Sequence, residues 1–140
     1  MSVETWFRIL FAIIALGMAI YLVASLVTGR SRVGGRRVDR RGEPRIYWGS
    51  FGKIAILMTG LAVTLLLPPG RDALPVVFLG LVGGQLFEML VAGTVQMPGV
   101  AYARAAQPRT YWRWVAFHAA IVILLLVFLV VQSRSATTIL

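Results

Sequence analysis

The chain has 140 residues, 59% of them hydrophobic, and a mean hydropathy of +0.82, well above the apolar share of about 45–50% found in soluble domains. It contains no cysteine, which excludes disulfides, thiolate nucleophiles and zinc-finger or iron–sulfur sites built from this chain alone. The net charge of +9 would suggest nucleic acid in a soluble protein, but these arginines lie between long apolar runs, where they orient the chain in a bilayer, and no nucleic-acid partner is expected.

Between Arg8 and Arg30 lie 21 uncharged residues, enough for a helix to cross a hydrocarbon core of about 30 Å at about 1.5 Å per residue. A cleaved signal peptide is not expected, because its start is basic and its apolar core spans about 7–15 residues, whereas this segment carries Glu4 and runs longer. After an arginine-rich loop, Lys53 is the lone charge between Arg45 and Arg71, giving a second span near 49–68 that ends at Pro68, Pro69 and Gly70. Glu88 is the lone charge between Asp72 and Arg104, giving a third span near 73–93, and Pro98 and Gly99 interrupt the stretch after it. The fourth, 113–132, lies in the uncharged stretch between Arg113 and Arg134. The pattern predicts an all-α membrane protein, a single membrane domain over residues 1–140 with four transmembrane helices arranged as two hairpins.

With four spans, the 29–48 and 94–112 loops share one side of the membrane. That side holds Arg30, Arg32, Arg36, Arg37, Arg40, Arg41, Arg45, Arg104 and Arg109, against Arg8, Arg71 and Arg134 on the other. The positive-inside rule therefore predicts cytoplasmic arginine-rich loops and both termini outside, in a bacterial inner (plasma) membrane.

Sliding the chain against itself by 64 residues brings Pro44, Arg45, Tyr47 and Trp48 onto Pro108, Arg109, Tyr111 and Trp112. The same offset pairs Gly29 with Gly93, Gly35 with Gly99 and Arg40 with Arg104. A tandem repeat of a two-helix unit, residues 10–67 and 74–131, is expected, with the units parallel because each holds an even number of spans, and with a pseudo-two-fold axis near the membrane normal. Proline suits the first turn of a helix, so helices are expected to start near Pro44 and Pro108. Arg45, Tyr47, Trp48, Arg109, Tyr111 and Trp112 are expected to anchor those starts among lipid headgroups.

Glu88 lies five residues before Gly93, so it sits about 7–8 Å inside the membrane boundary at the helical rise. Lys53 and His118 lie at comparable distances after Trp48 and Trp112, and with Gln85 they define an intramembrane polar layer of Lys53, Gln85, Glu88 and His118. A Lys53–Glu88 ion pair is the structural reading, and proton or cation coupling through Glu88 is the functional one. His118, the only histidine, has alanine neighbours that leave room for a macrocycle, so haem or a chlorophyll-type pigment is the lesser alternative. No metal site and no other cofactor is expected. Ala15 and Ala19, Gly80 and Gly84, and Ala116 and Ala120 form small-xxx-small steps for helix packing, within this chain or against a neighbour.

An enzyme is not expected, since the arginine-rich loops offer only Asp39 and Glu43 besides their arginines. In its four spans and single intramembrane glutamate the chain resembles the small multidrug resistance family, a resemblance that would imply proton-coupled export by a homo-oligomer. It departs from that family in placing Glu88 in the third span rather than the first, and in a basic loop of about twenty residues where that family has tight turns. The expected function is an accessory or structural subunit, in contact with membrane lipids and other integral membrane subunits of an inner-membrane complex, an energy-converting complex being one candidate setting.

Overall fold

A computed structural model describes residues 2–33, 35–67, 73–97 and 100–137. Four helices carry the fold: α1 Val3–Thr28, α2 Pro44–Leu66, α3 Leu74–Ala92 and α4 Pro108–Thr137. All four are long and apolar enough to cross a membrane, and the chain is an all-α membrane protein in its spanning portion. The expected breaks at Pro68, Pro69, Gly70, Pro98 and Gly99, together with Arg71 and Asp72, lie outside the described residues.

The helix ends reflect local chemistry. Ser2 caps α1 by accepting from the Thr5 backbone N–H, satisfying one of the donors a helix start leaves open. Pro44 and Pro108 open α2 and α4, as proline's missing donor predicts. Gly29 and Gly93 close α1 and α3 with φ of 65° and 69°, the left-handed conformation that glycine adopts without a Cβ clash. At the opposite end of the molecule Arg8 donates to the Leu67 carbonyl at 2.9 Å, supplying positive charge and a donor to the carbonyl end of α2.

The two connections α1–α2 and α3–α4 are β-hairpins rather than irregular loops. Strand β1, Arg30–Val33, pairs antiparallel with β2, Arg36–Asp39, and β3, Thr94–Met97, pairs with β4, Val100–Ala103. Bonds at their bases match across 64 positions. The Arg40 N–H donates to the Gly29 carbonyl at 2.8 Å, and the Arg104 N–H to the Gly93 carbonyl at 2.9 Å. Each hairpin folds inward onto the helices, burying Ser31 and Val38 in one case and Val95 in the other.

Packing runs in a row. α2 and α3 pack most extensively, α1 lies against α2, and α4 lies against α3. Among the described residues no Cα pair within 8 Å joins α1 to α4. This corrects the expected pseudo-two-fold axis: such an axis would carry the α2–α3 contact onto an equal α4–α1 contact. Among the described residues the helices form a row with α1 and α4 at its two ends.

Candidate functional site

Glycines let α2 and α3 approach until their backbones touch. A Cβ on Gly84 would stand 2.7 Å from the Lys53 carbonyl oxygen, one on Gly80 would stand 3.3 Å from the Gly60 Cα, and one on Gly49 would stand 3.3 Å from the Glu88 carbonyl oxygen. The Gly80–Gly84 step thus packs inside the chain. By contrast Ala116 and Ala120 are exposed on α4, while Ala15 and Ala19 are half-buried on α1.

This crossing sets Lys53 beside Glu88, with Nζ 2.8 Å from Oε2. The Glu88 side chain is 9% exposed and that of Lys53 is 37% exposed. The carboxylate is therefore enclosed between helices while the lysine side chain stays partly exposed. Two opposite charges in contact remove most of the cost that either would carry alone at that depth. The partner cation also occupies one carboxylate oxygen that proton exchange would use.

The other two members of the expected polar layer do not join the pair by hydrogen bonds among the described residues. His118 uses Nδ1 on the carbonyl of Trp114, one turn earlier on its own helix, at 2.9 Å, and its ring lies edge-on to Phe117 at 5.7 Å. Gln85 is half-buried on α3. No group of three or more His, Cys, Asp or Glu side chains that would hold a metal occurs among the described residues.

The six interfacial residues divide by face, which corrects the reading of all six as lipid anchors. Tyr47 and Tyr111 have no exposed surface. The Tyr47 phenol donates to the Ser25 carbonyl and the Tyr111 phenol to the Met89 carbonyl, each at 2.8 Å. They are latches between α2 and α1, and between α4 and α3, bonding to carbonyls near the last turns of the earlier helices. A helix turns about 100° per residue, so the neighbouring tryptophan faces outward where the tyrosine faces inward. Trp48 and Trp112 are accordingly 42% and 46% exposed, and each meets its tyrosine edge to face at 5.2 and 5.3 Å. Arg45 and Arg109 are exposed. The sequence reading missed Arg104, whose Cζ lies 5.1 Å from the centroid of the Trp112 ring, a cation–π contact that holds the guanidinium at the tryptophan's depth. Its pairing with Arg40 at the 64-residue offset was the available signal.

Compared with known proteins, the chain matches no protein-family model, no curated protein and no solved structure.

Proposed function

We propose that this chain is a small accessory subunit of a bacterial inner membrane, packing through its outer helices against larger integral membrane proteins. The observation that carries the reading is the contrast between its interior and its flanks. Inside, the intramembrane carboxylate is tied to Lys53 at 2.8 Å. Outside, α1 and α4 have no contact with each other among the described residues and present long apolar faces, with Ile13, Leu16, Ile20 and Val23 each more than half exposed on α1, and Leu124, Val127 and Val131 likewise on α4. Lipid covers such faces in any membrane protein, and a partner helix covers them equally well when shapes match. The rest of the reading is carried by the sequence: no catalysis, no bound cofactor, arginine-rich loops in the cytoplasm, and two helix pairs that arose as a tandem repeat.

The test is photocrosslinking in native membranes, with a crosslinkable residue at Leu16 or at Leu124. The reading expects a discrete adduct with another integral membrane protein from at least one position. Adducts with lipid alone at both positions, or with a second copy alone, would argue against it, the second outcome favouring a homo-oligomeric transporter.

A further inference from the structure

We propose that the hairpin end of the molecule holds one acidic phospholipid, its headgroup phosphate seated between Arg45 and Arg104. A recess of about 690 Å³ opens there, lined by Arg45 at the start of α2, by residues 90–93 at the end of α3 and by residues 103–105 at the end of β4 and just beyond it. Arg45 and Arg104 both line it, and among the described residues neither is paired with a carboxylate. Arg104 is held in place, by its contact with the Trp112 ring at 5.1 Å and by its backbone bond to Gly93 at 2.9 Å.

The lining has two chemistries that together select a lipid. Guanidinium groups favour phosphate oxygens, through paired charge-assisted hydrogen bonds, and basic pockets between membrane helices are suited to acidic headgroups. Below them Leu90, 49% exposed on α3, continues the wall as apolar surface along which an acyl chain can lie. A free phosphate would satisfy only the arginines. The two helix pairs contribute unequally to the recess. Arg45 comes from the first helix pair and the rest of the lining from the second; a matching recess would join Arg109 to the end of α1, and among the described residues α4 does not meet α1.

The full-length protein in neutral detergent would be titrated with phosphatidylglycerol, phosphatidylcholine and inorganic phosphate, with the thermal midpoint recorded and lipid retention measured by native mass spectrometry. Phosphatidylglycerol should raise the midpoint saturably, with one molecule retained. Arg45→Gln with Arg104→Gln should weaken retention by about tenfold, the loss expected when charge-assisted contacts go. Arg37→Gln with Arg41→Gln removes the same charge outside the recess and should leave retention unchanged. Should the first pair of changes unfold the protein, Arg45→Lys with Arg104→Lys keeps the charge, loses the planar fork and should still weaken retention. Equal loss in the Arg37 and Arg41 variant, equal stabilisation by phosphatidylcholine, or the same shift from inorganic phosphate alone would overturn the proposal.

Discussion

Tyr47 and Tyr111 make the same bond 64 positions apart, each phenol donating at 2.8 Å to the carbonyl of a residue 22 positions earlier. That bond ties the first turn of a later helix to the last turns of the one before it, with the intervening β-hairpin folded back on the junction. Tyr111 extends this into a small apolar core with Met89, Val95 and Val115. Tyr47 instead receives a second hydrogen bond, from the Ser25 hydroxyl at 3.3 Å.

Removing either phenol should therefore loosen a helix pair while leaving its fold intact. Tyr47→Phe and Tyr111→Phe should each lower stability by about 1 kcal/mol, the usual scale for a buried hydrogen bond within a membrane protein. Denaturant unfolding in detergent checks this, and Tyr47→Phe should lose somewhat more than Tyr111→Phe because it also forfeits the bond from the Ser25 hydroxyl.

The α2–α3 crossing makes a sharper steric prediction. Gly84→Ala places a methyl 2.7 Å from the Lys53 carbonyl oxygen, in helix backbone that cannot turn aside, whereas Gly83→Ala meets only the Ile56 side chain at 3.9 Å. Gly84→Ala should cost about 1–3 kcal/mol, as overpacked sites do, and Gly83→Ala should be close to neutral. Unfolding of the two variants side by side separates close packing from any general effect of adding a methyl.

Much of the membrane architecture was legible in the sequence, because it is written in charge spacing. The second span, expected from residue 49, begins at Pro44, and the fourth, expected from residue 113, begins at Pro108. The proline rule places those starts where the charge gaps do not, since Arg45 and Arg109 lie on the first helical turns. The Lys53–Glu88 pairing came from counting inward from the aromatic residues. The hairpins carry no such signal: strands of four residues, arginine-rich in the first hairpin and without arginine in the second, are too short to show apolar alternation. The inward tyrosines were missed because Tyr47 and Trp48 were read as one aromatic cluster, when a helix sends adjacent residues to different faces. The row-like packing depends on which helix faces meet, and the 64-residue offset is silent on that.

Sidedness is tested by labelling. The chain has no cysteine, so a single introduced thiol is an unambiguous reporter. Gly42 is exposed beyond the first hairpin, whereas Ser31 is only 4% exposed and bonded to Tyr21, which makes Gly42 the better site. Gly42→Cys should resist a membrane-impermeant reagent in intact cells and Ser2→Cys should react, as the excess of arginine on the hairpin side requires.

Trp48 and Trp112 should also lie at one depth, because each comes four residues after a helix-opening proline and flanks a buried tyrosine. With each retained as the sole tryptophan, quenching by lipids brominated at a series of positions should peak at the same position for both. A clear offset between the two profiles would mean that the helix pairs are displaced along the membrane normal.

The central claim is that Glu88 serves structure, through Lys53, and a double-mutant cycle on those two residues tests it most directly. Breaking a fully buried ion pair costs about 3–5 kcal/mol; with the Lys53 side chain 37% exposed, a smaller loss of about 1–3 kcal/mol is expected from Glu88→Gln or Lys53→Met alone. The combined variant removes both charges, strands neither, and should recover most of that loss, a coupling of the kind seen between residues in direct contact. Thermal unfolding of the four detergent-solubilised proteins measures it. Recovery in the double variant is the predicted result; additive losses, or a Glu88→Gln protein that is fully stable yet abolishes a proton-linked flux, would contradict the account.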